Sequence, residues 1–451
     1  MKKTLVLLLI LAVAGGIFAQ NGEISWSGGV EINGKLNLNT QDPADADKNI
    51  ATVGAIDDAN TKGFVDLSYK NGGLTLGMGF SSTYWDADDN WVNSSSIGLK
   101  ADYTADRWGA HAEMDLLNSD GTVLGGKGPT QLWGYYTFLD NALRFDVAVD
   151  GGGNGIWAVS DIVLEEYNID VDFGGGLERT IYNGWNKLDD GAGFQFVYTG
   201  IENLSFGAIF PWDYNNGAIH GTAADGPKFG ETFFKQMVIG AKYDNGSIGV
   251  SFMLGLQPWS YLDGTDVKDK VAAFTHVGFK FGINDAMTLK ADVIAGFGFS
   301  DKYGFWDKDG EAASKVLMSF GLNFDYSADP LGVGVTVKFF DLADSTVGDS
   351  GNGGRSLVLN PYVSYQINDP LKASLNITLV QGMGEWNKEN DALKGKEKVS
   401  SLAIEPALDW AVADGASMGF GYCVKFSLDG DLSGKDKLLD HNITLKFKWS
   451  F

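Results

Sequence analysis

The sequence predicts an all-β fold, a transmembrane antiparallel up-and-down β-barrel of about 22 strands, within a range of about 18 to 22, with short periplasmic turns and longer extracellular loops. Three observations carry the prediction. Beyond residue 19 no apolar run reaches the roughly 18 residues that a spanning helix needs, so any crossing of a membrane must use strands. The composition suits aromatic strands joined by flexible turns, with 28 Phe, 16 Tyr, 13 Trp and 61 Gly against 9 Pro. One unit also recurs along the chain: an alternating strand, a tight turn, a second alternating strand and a longer polar connection.

Taken in order, Lys2 and Lys3 precede an apolar stretch from Leu5 to Val13 and the small residues Gly15, Gly16 and Ala19, the layout of a cleaved secretory signal peptide over residues 1–19. Residues 20–451 then form a single barrel domain, since no linker or change of texture divides them. The first strand lies near Ile24 to Asn39. Ten candidate tight turns follow, each with an aromatic residue just before it, at Tyr69, Tyr103, Tyr136, Phe173, Tyr198, Tyr243, Phe281, Tyr326, Tyr365 and Trp410. The turns carry Asn, Asp, Gly or Pro, which accept the dihedrals or side-chain bonds of tight hairpins. On the other side the connections are longer and polar, with Trp85, Trp185, Trp212, Trp259, Trp306 and Trp386 at their entrances. Aromatic girdles at both interfaces are thereby implied, and ten hairpins plus a first and last strand give the count of about 22.

Lipid on one face and water on the other demand alternation of period two. From Leu371 to Leu379, Leu371, Ala373, Leu375, Ile377 and Leu379 oppose Lys372, Ser374, Asn376 and Thr378. From Trp108 to Leu116, Trp108, Ala110, Ala112, Met114 and Leu116 oppose Gly109, His111, Glu113 and Asp115. From Met418 to Leu428 the outer set is Met418, Phe420, Tyr422, Val424, Phe426 and Leu428. A soluble sandwich also alternates, but rarely through so many successive hairpins. The single Cys423 forbids an internal disulfide, so closure of the sheet must supply the stability. Net charge is -24, or -26 once Lys2 and Lys3 leave with the signal, which argues against nucleic acid as a partner.

At the C-terminus Ile443, Leu445, Phe447, Trp449 and Phe451 share one strand face. This resembles the terminal strand of bacterial outer-membrane porins, in which a final Phe with apolar residues at alternate positions behind it is the signal read by the barrel-assembly machinery. The resemblance implies a place in the outer membrane of a diderm bacterium, contact with its lipid, and a water-filled channel for passive diffusion of small hydrophilic solutes. It implies no catalysis and no cofactor; porins of this type are often trimers, so a homo-trimer is one assembly it admits. Plugged TonB-dependent transporters are a poorer match, because no globular plug precedes the first strand.

Alternation places Asp66, Lys100, Asp102, His111, Glu113, Asp115, Arg144, Asp146, Lys290, Asp292, Lys338, Lys372, Glu405 and Lys425 in the lumen, with Lys242, Lys280, Asp325, Asp409, Lys446 and Lys448 beside them. The signs nearly balance, so the wall is mixed and hydrated, while acidic loops such as Asp42, Asp45 and Asp47, or Asp86, Asp88 and Asp89, give the mouth a weak cation preference. No metal site is expected: the Asp-x-Asp spacing lacks the rest of a calcium loop. His111 with Glu113 and Asp115 lacks a placeable nucleophile, so no enzyme is expected. The alternatives are a non-conducting surface barrel with an adhesion or scaffolding role, and a sugar- or lipid-selective outer-membrane transporter.

Overall fold

Period-two alternation makes each of these segments a strand with one apolar face, and no strand can rest in lipid until its backbone is paired on both edges. The computed structural model describes residues 22–38, 55–87, 90–117, 131–150, 193–211, 237–258, 271–298, 316–340, 356–382, 400–428 and 438–451. These form β1 (Glu23–Asn37), β2 (Ala55–Asn71), β3 (Leu74–Ala87), β4 (Asn90–Thr104), β5 (Trp108–Leu117), β6 (Gln131–Phe138), β7 (Leu143–Asp150), β8 (Gly193–Ile201), β9 (Leu204–Pro211) and β10 (Val238–Asp244). They continue as β11 (Ile248–Pro258), β12 (Val271–Asn284), β13 (Met287–Gly298), β14 (Val316–Ala328), β15 (Leu331–Phe340), β16 (Ser356–Asn368), β17 (Leu371–Gly382), β18 (Ser400–Ala413), β19 (Ala416–Ser427) and β20 (Leu438–Ser450). Each strand pairs antiparallel with the next, and β1 pairs with β20 from Gly29↔Ser450 to Asn37↔Asn442, so the 20-stranded sheet closes.

Twenty strands fall inside the expected range. Nine of the ten expected tight turns are present, with two to four residues between strands. The tenth, after Phe173, lies outside the described residues, and β7 pairs directly with β8, so the wall passes it by. The connections at the other end run to ten residues or more except one: β3 continues to Ala87 and β4 starts at Asn90, paired with it. Asp86 therefore belongs to a strand, opposite Trp91, and Trp85 pairs within the ladder, because the polar residues there extend the pairing instead of ending it. Asp42, Asp45, Asp47, Asp88, Asp89, the signal segment, and Trp185, Trp212, Trp259, Trp306 and Trp386 lie outside the described residues.

Turn chemistry follows the residues supplied. Between β10 and β11 the Asp244 Oδ1 accepts from Gly246 N at 2.8 Å and Asn245 Oδ1 accepts from Ile248 N at 2.7 Å, while Gly246 takes φ +89°, a value its missing Cβ allows. A harder problem sits mid-wall, where Pro361 of β16 falls opposite Ile377 of β17, between the pairs Leu359↔Leu379 and Tyr362↔Asn376. Proline has no N–H to give, yet the Asn360 Nδ2 donates to Ile377 O at 2.9 Å and to Asn376 Oδ1 and Thr378 Oγ1 at the same distance. The side chain thus replaces the missing backbone donor.

The two faces differ as lipid and lumen require. Val250, Phe252, Phe279, Phe281, Phe420 and Leu445 are exposed, as are Tyr103, Tyr136, Tyr243, Tyr365 and Trp410 near the tight turns. On the opposite face Asp146, Gln195, Asp292 and Ser319 are fully buried. Outward side chains of a closed cylinder diverge and inward ones converge, so the polar face is the inner one.

Candidate functional site

Charge on the inner wall is grouped by strand. In β4 and β5 alternation sends Lys100, Asp102, His111, Glu113 and Asp115 inward, and the register sets Lys100 opposite Glu113 and Asp102 opposite His111. Lys100 Nζ lies 3.6 Å from both Asp102 and Glu113, and His111 lies 2.6 Å from Asp102 through Nδ1 and 3.3 Å from Glu113 through Nε2. Asp66 on β2 pairs with Gly79 and Asp115 pairs with Gly98, and those two glycines pair with each other. A Cβ on Gly79 would sit 2.9 Å from Asp66 Oδ1, so the missing side chain leaves that carboxylate room to lean over the wall. This sector carries only a slight acidic excess: four carboxylates share it with Lys100 and with Lys62 and Lys70 on the same face of β2.

Beside it, β6 brings in Trp133 and Tyr135, which sequence reasoning missed as inward residues. Trp133 stacks on His111 with centroids 5.1 Å apart, and Arg144 on β7 lies 5.9 Å from the Trp133 centroid and 3.8 Å from that of Tyr135. The Tyr135 ring also covers Gly109, where a Cβ would meet it at 2.4 Å. Arg144 donates from Nε and Nη2 to Asp146 Oδ1 at 2.8 and 2.6 Å. The pair is positioned because Arg144, Asp146 and Ala148 alternate with the outward Leu143, Phe145 and Val147.

Farther round, His276 on β12 approaches the buried Asp292 on β13 at 3.3 Å, and Lys280 approaches Asp244 at 3.4 Å. Lys290 pairs in register with Lys280 and Asn323, and Lys338 with Gly321. Tyr362 donates to Asp325, and Asn376 Nδ2 donates to Glu405 at 3.1 Å, which extends the Asn360 amide bonds across three strands. Lys425 stands opposite Ala403, and Lys372 opposite Asp409. Near the tight turns an inner recess of about 480 Å³ includes Glu31, Lys372, Asp409, Lys446 and Lys448 in its lining, with Lys448 Nζ 2.8 Å from Glu31. Glu31 is a second omission, although its alternation with Val30 and Ile32 marked it as inward.

All fourteen inward residues singled out from the sequence lie on this one face, though in separate groups and not at one centre. On the terminal strand Leu445, Phe447, Trp449 and Phe451 are exposed on the outer face, and Ile443 pairs with Leu36 and Tyr422 in the same alternation. Among the described residues no group of three or more His, Cys, Asp or Glu side chains is disposed to hold a metal ion.

No protein family and no curated protein matches the chain. Among solved structures it is similar to OccAB3 of Acinetobacter baumannii, at 9% identity and a TM-score of 0.46 over 95% of this chain and 99% of that one. OpdQ of Pseudomonas aeruginosa gives 10% and 0.46 over 96% and 99%, and OprD of the same organism 9% and 0.44 over 95% of each. The fold assignment rests on the chain's own wall: closed, meandering and apolar outside, with short turns at one end and long connections at the other, it is a 20-stranded antiparallel up-and-down β-barrel.

Proposed function

We propose that the barrel is a porin, a water-filled channel through which small hydrophilic solutes diffuse passively, with a weak preference for cations. The observation that carries this reading is an inner face of mixed, partly exposed charge, from Lys100, Asp102 and Glu113 to Lys372, Asp409 and Lys446, with no single-sign ring among the described residues. The fourteen inward residues line the pore, and the slight acidic excess from β2 to β5, in a chain of net charge -24, supplies the bias toward cations. The leader over residues 1–19 is removed on export, and the outward face from Ile443 to Phe451 is what the assembly machinery reads. A sugar-stacking track is less well supported, since Trp133 is flanked by His111 and Arg144 and Tyr135 by Gly109 and Arg144.

Single-channel recording of the refolded chain in a planar bilayer under a salt gradient tests this. Expected are conductance steps whose reversal potential has the sign of cation selectivity. A folded barrel that carries no current overturns the porin reading in favour of an adhesion or scaffolding barrel, and an anion-selective reversal potential overturns the charge argument alone.

A further inference from the structure

The tight-turn end of the barrel repeats a pattern that neither the hydrocarbon belt nor the bore explains. In Tyr136 to Asp140, Phe281 to Asp285, Tyr365 to Asp369 and Trp410 to Asp414, an aromatic residue is followed two positions later by Phe138, Ile283, Ile367 or Val412 and four positions later by an aspartate. Tyr198, Ile201 and Glu202 give the same order with the apolar member one position later. These apolar side chains are open to the outside, Ile283 at 49%, Ile367 at 50% and Val412 at 45%. Seven of the nine turns carry an exposed carboxylate, at Asp106, Asp140, Glu202, Asp285, Asp329, Asp369 and Asp414, and Arg107 is the one cation among the described residues of those turns.

Turn chemistry does not account for these carboxylates. The side-chain bonds of the tight turns are made by other residues: Asp244 and Asn245 between β10 and β11, Asn284 to Ala286 N at 2.9 Å, and Asn141 to Thr137. None of the seven carboxylates makes a hydrogen bond or ion pair among the described residues. Their height points outward. The aromatic girdle of a barrel lies where hydrocarbon meets headgroups, and four residues of a strand tilted by about 40° climb roughly 10 Å. A headgroup layer is about 5–8 Å deep, so the apolar member of each repeat stands within that layer and the carboxylate at its outer edge. We infer that this rim is a docking surface for phospholipids whose headgroup ends in a primary ammonium, the ethanolamine class. The girdle ring and the apolar residue pack beside the glycerol end of the lipid, and the carboxylate accepts from the ammonium. Seven carboxylates against one guanidinium in those turns repel an anionic headgroup from the same place. The inference rests on the barrel standing in a bilayer and is independent of what passes through the bore.

The test folds the full chain into vesicles of phosphatidylcholine, alone or partly replaced by phosphatidylethanolamine or by phosphatidylglycerol, and unfolds it with urea in low salt. Ethanolamine lipid alters bilayer packing around any barrel, so the decisive quantity is the difference between the parent and a chain carrying Asp140→Asn, Asp285→Asn, Asp369→Asn and Asp414→Asn. Expected is a parent midpoint raised by the ethanolamine lipid and lowered by the glycerol lipid relative to the variant, whose own shifts are smaller in both. The parent alone supplies a second reading: in about 1 M salt, where the Debye length is about 3 Å, its two shifts should shrink toward those of the variant. Parent and variant that respond alike to both lipids overturn the inference, and so do parent shifts that high salt leaves unchanged. A barrel that enters no vesicle sinks this inference together with the porin reading. One that inserts and discriminates between headgroups yet carries no current sinks the porin reading and leaves this one standing.

Discussion

Pro361 would leave Ile377 O without a donor in the middle of a sheet that faces hydrocarbon, where an unpaired backbone group has no water to turn to. Asn360 closes that gap from the neighbouring position, on the inner face, with three acceptors at 2.9 Å. Asn360→Ala should therefore destabilise the barrel by about 1–3 kcal/mol, the cost of an unsatisfied buried carbonyl, read as a shift in the urea midpoint of the protein in lipid vesicles. The same substitution in a Pro361→Val background should cost clearly less, because valine restores the N–H. Equal costs in the two backgrounds would show that Asn360 acts through something other than the carbonyl. The gap was open to view in the sequence as a proline inside an alternating run, but its remedy was not, because an Asn beside a Pro reads equally well as a turn.

At the level of elements, the hairpin rhythm was legible because it repeats. An aromatic residue followed by Asn, Asp, Gly or Pro marks each of the nine turns that lie among the described residues. Faces were legible wherever polar and apolar residues keep to separate parities, as in β5, β17 and β19. They were obscure in β6, where Leu132, Tyr136 and Phe138 occupy one parity and Trp133 and Tyr135 the other, so the period-two signal vanishes. The seam between β1 and β20 was half legible. Alternation to Phe451 was plain, but not that Phe451 exchanges backbone bonds with Gly28 at 2.9 and 3.1 Å and sets its ring against Trp26 and Trp449, at 5.2 and 4.8 Å. Gly28 permits this, since a Cβ there would meet the Phe451 ring at 2.8 Å. Deleting Phe451 should remove both bonds and both ring contacts, and so lower the temperature at which the refolded barrel loses its heat-modifiable gel mobility, whereas Phe451→Tyr should not. Refolding into vesicles involves no assembly machinery, so an unchanged transition after the deletion would confine Phe451 to signalling and deny it a part in closure.

For the molecule as a whole, the decisive quantity is the field along the charged inner wall. Lys372 and Lys446 are exposed there, whereas Arg144 is tied to the fully buried Asp146, so reversing Arg144 would strand a buried carboxylate and confound selectivity with stability. Reversal at the exposed positions avoids this. Lys372→Glu with Lys446→Glu changes the wall by four charge units beside Asp409 and Glu31. Screening sets how far that change is felt: the Debye length is about 10 Å at 0.1 M salt and about 3 Å at 1 M. In a bore tens of ångströms wide, therefore, the variant should move the reversal potential strongly toward cation selectivity near 0.1 M and only weakly near 1 M, while Asp409→Asn moves it the opposite way by a smaller amount. A reversal potential at 0.1 M that ignores both substitutions would place the current away from β17 to β20.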